Sequence, residues 1–179
     1  MSYGKFVRVR FAAGFLLLTL VVFAAACAKP AAPNLPKDIL GISVGMSREN
    51  AEPRLRQIAE FERDEGKRQQ IWRLKNDANF SRMAVGYGDE QQIRYVTGFV
   101  GKEAPKERLR FDGIGDLATA TKEVIAPHHR YIWEVAGNGD KPAYLVNAYG
   151  MEPEFLTMLT LTKKTSPGET EEEAEKEIR

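Results

Sequence analysis

The sequence predicts an α+β fold of two tandem units, each a helix packed on a three-stranded antiparallel β-meander. Short motifs recur at a nearly constant spacing: Trp72 and Trp133 lie 61 residues apart, and the stretches YGDEQQI and YGMEPEF, which begin at Tyr87 and Tyr149, lie 62 apart. Each tryptophan follows a segment of helical periodicity and precedes two segments of alternating apolar residues. Two such units bury more apolar surface together than one does alone.

The N-terminus has the three parts of a secretory signal peptide, which we assign to residues 1–26. Basic residues in the first ten positions precede an apolar run over 11–23 and three alanines. Cys27, the only cysteine, follows at once. This arrangement resembles the lipobox of bacterial lipoproteins, in which the cysteine is acylated and anchors the chain to a membrane. Ordinary cleavage that leaves a free thiol, and an uncleaved signal anchor, remain alternatives.

Residues 27–38 are predicted to form a lipid-anchored tether. Pro30, Pro33 and Pro36 make this segment extended and semi-stiff. The residue after the cysteine is Ala28 rather than aspartate, and by resemblance to lipoprotein sorting in two-membrane bacteria this indicates the outer membrane. We therefore expect the protein on the periplasmic side of the outer membrane.

The first helix-meander unit is assigned to residues 39–101. Ser47 is a good N-cap for a helix with Leu55, Ile58 and Ala59 on one face. Pro53 leaves two options, because proline is tolerated only in the first turn: residues 47–50 form a separate turn, or the helix begins near Pro53. A charged loop then precedes three strands, predicted at 70–74, 82–87 and 92–99, with a hairpin turn over 88–91.

The second unit is assigned to residues 102–165 and repeats this order. Asp116 is predicted to cap a helix with Leu117, Ala120 and Val124 on one face, ended by Pro127. Strands are predicted at 130–135, 142–149 and 154–161, with a turn over 150–153.

An acidic tail, residues 166–179, follows the second unit. It holds six glutamates and few apolar residues. We expect it to be solvated and either disordered or loosely helical, and binding of a basic partner is the alternative.

Several of these features together resemble the SmpA/OmlA family of small outer-membrane lipoproteins. The resemblance rests on ISVGMSRENAEPRLRQI, with Gly45, Met46 and Ser47 at the helix start, on the strand of Trp72, and on MAVGYGDEQQIRYV. The family includes the E subunit of the β-barrel assembly machine, and the tandem arrangement is similar to the β-lactamase-inhibitor-protein architecture. The chain departs from the family pattern at Pro53 and Leu74. The resemblance implies a scaffold that binds proteins.

No sequence motif indicates catalysis, a cofactor or a metal. Phosphate-loop, nucleophile-elbow and zinc-protease patterns are absent, and a formal net charge of +1 gives no nucleic-acid signal. His128 and His129 are the only histidines, and neighbours in an extended segment point to opposite sides, which suits a turn or the entry to a strand better than a chelate. We therefore predict a protein that is not an enzyme.

The residues that remain for a binding site are the exposed acids of the two hairpin tips, Asp89, Glu90 and Glu152. The hypothesis is that these tips and the exposed face of the sheet contact a partner, and plain turns are the alternative. Trp72 and Trp133 are expected in the core, and a solvent-facing aromatic patch is the alternative. We expect a non-catalytic protein-binding module that supports outer-membrane assembly or envelope integrity, with an unidentified protein partner. A β-lactamase-inhibitor-like binder of a secreted enzyme and an uncharacterised periplasmic enzyme are the alternatives, and the oligomeric state is left open.

Overall fold

The computed structural model describes residues 35–101, 108–139 and 141–165, and within them one antiparallel sheet of eight strands dominates. One α-helix, α1, and two short 3-10 turns, Phe111–Gly113 and Leu117–Thr119, accompany it. The elements are α1 (Arg48–Ile58), β1 (Ala59–Glu65), β2 (Gln69–Leu74), β3 (Phe80–Tyr87), β4 (Ile93–Val100), β5 (Thr121–Ile125), β6 (His128–Val135), β7 (Tyr144–Gly150) and β8 (Met158–Lys163).

The strand order is β1-β2-β3-β4-β8-β7-β6-β5, so two four-stranded meanders join through β4 and β8 into one sheet. Every neighbouring pair is antiparallel. The prediction of two helix-on-three-stranded-meander units is therefore wrong. Each half contributes four strands, and in the described residues only the first half has an α-helix.

The first correction concerns the segment after α1, where Ala59 was predicted on the helix and residues 63–69 in a charged loop. Residues Ala59–Glu65 instead form β1, which pairs with β2 from Ala59 opposite Leu74 to Glu65 opposite Gln69. Five of its seven residues are charged. A strand at the end of a sheet has much of its surface in water, so it tolerates a charged sequence without the alternation that identifies a half-buried strand.

The second correction concerns the helix predicted after Asp116. Asp116 does act as a cap, because its carboxylate accepts a hydrogen bond from the Ala118 amide at 3.0 Å, but the turn ends at Thr119. The chain then forms β5 and pairs with β6. The β-branched residues Thr121, Val124 and Ile125 favour a strand, and pairing with β6 outweighs the weak helical periodicity.

Helix α1 begins as predicted and passes through Pro53 without a break. Ser47 is its N-cap, and its hydroxyl accepts from the Asn50 amide at 3.4 Å. Both options offered for Pro53 are therefore wrong, since the proline lies at the sixth helical position. Ala51 and Leu55 are fully buried, and burial of this face offsets the hydrogen bond that Pro53 cannot donate.

The six predicted strands are confirmed with shifted bounds. The largest shift is at β8, which begins at Met158 rather than at residue 154. The tip predicted as a tight turn over 150–153 is longer, because Gly150 still belongs to β7. Phe155 forms a bridge with Arg110, and the Leu156 amide donates to the Leu109 carbonyl at 3.1 Å, so this part of the chain pairs outside the sheet.

The core lies on one face of the sheet. Cross-strand partners share a face, and the buried cluster contains the row of Val96, Leu161, Val146 and Trp133 across β4, β8, β7 and β6. The first half of this face is covered by α1 and the segment before it, and the second half by the segment around Phe111. The opposite face, which we call the open face, contributes no side chain to this cluster.

Candidate protein-binding face

The first predicted tip lies in the tight turn between β3 and β4. The Gly88 amide donates to the Gln92 carbonyl at 2.9 Å, and the left-handed backbone falls on Gln91, with φ of 55°, rather than on the glycine. Asp89 forms an ion pair with Arg68, while Glu90 is exposed. One of the two acids at this tip is therefore already neutralised by a neighbouring arginine.

The second predicted tip is held by arginines from the segment before the first 3-10 turn. Both guanidinium nitrogens of Arg108 donate to Glu152, at 2.8 and 2.6 Å, and the same guanidinium lies 4.1 Å from the Phe155 ring centre. The hydrogen bond from Arg108 lowers the pKa of the Glu152 carboxyl. Glu152 is therefore a paired charge, and the structure gives it a role in holding its own loop.

Asp89, Glu90 and Glu152 do not form one site. Asp89 and Glu90 lie beyond the ends of β3 and β4, and Glu152 follows β7 in the other half of the sheet. Asp89 and Glu152 each pair with a nearby arginine, so acidity at the tips is a weak basis for recognition.

The two tryptophans are core residues, as expected. Trp72 is 1% and Trp133 2% exposed, and both belong to the buried cluster. The Trp133 indole N–H donates to the Asp116 carbonyl at 2.9 Å, whereas that of Trp72 has no partner among the described residues. A solvent-facing tryptophan patch is therefore not present.

The histidines point to opposite faces of β6, as predicted. His128 contacts the Tyr149 hydroxyl through its Nδ1 atom on the open face, and His129, its neighbour, pairs across to Gly150. In the residues that the structure describes, no group of three or more His, Cys, Asp or Glu side chains is placed to hold a metal ion.

Of the residues that the structure describes, none at the centre of the open face has a charged side chain. Register places three alternate residues from each of β4, β8 and β7 side by side on this face. We call these nine residues the central band: Tyr95, Thr97, Phe99, Met158, Thr160, Thr162, Leu145, Asn147 and Tyr149. Most of these residues are half-buried and Phe99 is 36% exposed, so water reaches this surface. Aromatic, aliphatic and hydroxyl groups are mixed across it.

Two threonines lie in the middle of the band, where the two halves of the sheet meet. The hydroxyls of Thr97 and Thr160 lie 2.9 Å apart across the β4–β8 junction. Tyr95 lies across Gly86, where any Cβ would collide with its ring, and its hydroxyl donates to Gln69. Burial of this ring raises the pKa of the Tyr95 phenol. The polar groups of the band are therefore held in fixed positions.

Ion pairs flank the central band on both sides. On one side Arg82 donates twice to Glu62, at 3.0 and 3.1 Å. On the other side Arg130 donates to Glu123 at 3.1 Å and to Asn147 at 2.9 Å. An uncharged centre inside a charged rim is the distribution found in protein–protein interfaces, where charged residues are depleted from the core.

A small cleft lies where the segment before α1 crosses the loop between β6 and β7. Its volume is about 160 Å³, and its lining includes Lys37, Lys141, Val44, Pro142 and Tyr144. Ligand sites usually have volumes of about 300–1,000 Å³. The other lining residues are Ser43, Val135, Ala136 and Asn138.

Several predicted features lie outside the described residues: Cys27, the signal peptide, most of the tether and the acidic tail. Within the described part of the chain, no helix combines the length and apolar character needed to cross a membrane. No protein family, curated protein or solved structure matches the sequence.

The sequence suggested an exposed sheet face as a contact surface, but it did not identify the residues of the central band. The signal was nevertheless present as period-two alternation in LVNAY (145–149) and MLTLT (158–162), where every second position on the side away from the core is uncharged. Only the register of β4, β8 and β7 shows that these positions are neighbours.

Proposed function

We propose that this protein is a non-catalytic, lipid-anchored module of the outer membrane, which binds a protein partner through the central band of its open face. The observation that supports this proposal is the uncharged, partly aromatic band between two rims of ion pairs. Tyrosine, phenylalanine and methionine are enriched in interface cores, and the paired rims keep unpaired charge out of the contact.

The partner that fits this surface is a folded protein with an uncharged patch rich in hydrogen-bonding groups. The band offers hydroxyls at Thr160 and Thr162, an amide at Asn147 and rings at Tyr95 and Phe99. A strongly charged partner would have to lose hydration without gaining an opposite charge at the centre, which is costly.

The lipid anchor and the envelope role rest on the sequence. The signal segment, Cys27 and the proline-rich tether motivate both, and a tethered binding module suits a role in outer-membrane assembly or envelope integrity. Cys27→Ser should abolish acyl labelling and release the protein from the membrane fraction. Labelling that persists in this variant would show that the anchor assignment is wrong.

Site-specific photo-crosslinking in intact cells tests the binding face. A photoreactive phenylalanine at Phe99 or Thr162 should capture one reproducible protein, and the same probe at Gln57, an exposed residue of α1, should not. Phe99→Glu should remove the crosslink formed at Thr162, because it buries an unpaired charge in the contact, while Gln57→Glu should leave it intact.

The identity of the captured protein separates the functional classes. An envelope-assembly component supports the proposed role, and a secreted hydrolase whose rate falls on binding would replace it with the inhibitor alternative. Capture at Gln57 but at neither open-face position would falsify the assignment of the face.

A further inference from the structure

Among the described residues, the last strand of the sheet, β5, has no neighbour on its outer side. It ends the strand order, and all five of its residues are exposed. Alternate residues of an edge strand turn their N–H and C=O groups away from the sheet. The outer side of β5 therefore offers a row of backbone donors and acceptors to another chain.

The charged side chains of β5 are engaged by β6. Glu123 accepts a hydrogen bond from Arg130 at 3.1 Å, and the Lys122 ammonium lies 5.5 Å from the centre of the Tyr131 ring. The aliphatic side chains remain in water: Val124 is 51% and Ile125 78% exposed. Among the described residues, the edge thus presents unpaired backbone groups and two aliphatic residues, while Lys122 and Glu123 contact side chains of β6.

The opposite edge of the sheet, β1, is protected. Glu60, Glu62, Arg63, Asp64 and Glu65 give it five charges in seven residues, and the register is interrupted between Phe61 and Arg63. Charges and bulges are the devices by which proteins keep edge strands from pairing. Of these two devices, β5 has neither over Val124 and Ile125.

The geometry of Val124 and Ile125 identifies the kind of ligand. They are consecutive residues of a strand, so their side chains project on opposite faces of the sheet. A helix or a flat surface that packs on one face of the sheet contacts only one of them. A chain that lies in the plane of the sheet, along the edge, contacts both and also meets the free backbone groups.

We propose that β5 accepts an extended segment of another polypeptide as a ninth strand, with aliphatic side chains of that segment against Val124 and Ile125. Main-chain hydrogen bonds supply the affinity in this mode of recognition, and side chains at alternate positions supply the specificity. This surface is separate from the central band, so the two assignments stand or fall independently.

A second copy of this chain is a poorer occupant of the edge. In a symmetric antiparallel pair centred on Glu123 or on Lys122, two like charges face each other, which is destabilising. Centring on Val124 avoids this, but it leaves only the three residues 123–125 of β5 paired with their symmetry mates.

The probe for this site is a phage-displayed library of random decapeptides, selected against the full chain in mild detergent. We expect enriched peptides with adjacent aliphatic residues in a β-prone sequence. Synthetic versions should lose at least tenfold in affinity with Ile125→Lys and with Val124→Lys. Asp64→Lys, the matched change on the β1 edge, and Phe99→Glu on the central band should leave their affinity unchanged.

Hydrogen exchange gives a second readout that does not depend on the variants folding. Bound peptide should slow exchange of amides in β5 more than in β1. Three results would each overturn the proposal. The first is peptides that bind equally well to both β5 variants, and the second is a library that yields no peptide protecting β5. The third is self-association of the chain that Ile125→Lys abolishes.

Discussion

The two halves of the sheet have the same sequence of strands but different covers. Strands β1–β4 and β5–β8 run in mirrored order outward from the β4–β8 junction. The first half is covered by α1, with Ala51 and Leu55 fully buried. The second half is covered by a 3-10 turn and the bridge between Arg110 and Phe155, with Phe111 1% exposed.

This difference shows that the recurring motif specifies strands and not the layer above them. Trp72 and Trp133 both lie in the core, although one faces a helix-covered half and the other a turn-covered half. A large aromatic side chain fills most of the space beneath either cover, and the rest of the cover needs only to exclude water. The cover is therefore the part of each half in which the two sequences diverge.

The largest expected contrast between the covers is in leucine burial. Leu55 is fully buried under α1, whereas Leu117 in the second 3-10 turn is only partly buried. Leu55→Ala should reduce the free energy of unfolding by about 3 kcal/mol, and Leu117→Ala by about 1 kcal/mol, because little cavity forms at a site that water already reaches. Urea titrations of both variants measure the two losses. Equal losses would mean that the turn packs as tightly as the helix.

A second contrast lies at the tyrosines of the recurring motif. Burial raises the pKa of Tyr87 to about 12, and the side chain is 3% exposed, with its hydroxyl 3.3 Å from Gln70 Oε1. An exposed tyrosine ionises near pH 10. Because the folded state favours the neutral phenol, Tyr87 contributes to the free energy of unfolding. This contribution is complete below about pH 10 and is lost as the pH rises towards 12. The loss is about 2 kcal/mol.

Tyr87→Phe should remove that alkaline loss. Unfolding free energies measured between about pH 9 and 11.5 should fall less steeply in the variant than in the wild type. Tyr149→Phe, at the corresponding position of the second half, controls for the loss of one tyrosine from the denatured chain. A slope that Tyr87→Phe leaves unchanged would assign the alkaline sensitivity to another group.

The predictable parts of the fold are those that have a local cause. Ser47 caps α1 and Asp116 caps its turn, since each side chain reaches an amide two or three residues ahead. The exposed edge strands β1 and β5 could not be predicted, because a strand with little buried surface lacks alternation. Pairing with β2 and β6 decides their structure, and that pairing depends on residues distant along the sequence.

The candidate site shows the same division. The tyrosine-glycine motif was correctly assigned to strand ends, but its glycines serve different purposes: the first tip is a tight turn, while a Cβ at Gly150 would collide with Phe155 and Phe111. The central band became visible only after three strands were aligned. Single-sequence patterns identify which positions face away from the core, and register identifies which of those positions are neighbours.

The smallest expected contrast separates the two tryptophans. Trp133→Phe removes the hydrogen bond to the Asp116 carbonyl, which must then accept a hydrogen bond from water. Trp72→Phe removes a buried N–H that has no partner among the described residues. Both changes shrink the ring equally, so the volume cost largely cancels in the comparison. Trp133→Phe should therefore destabilise the protein by about 1 kcal/mol more than Trp72→Phe does. The difference is measured in parallel urea titrations. A larger loss at Trp72 would imply that its indole N–H bonds to a buried water, which would make the helix-covered half the more polar of the two cores.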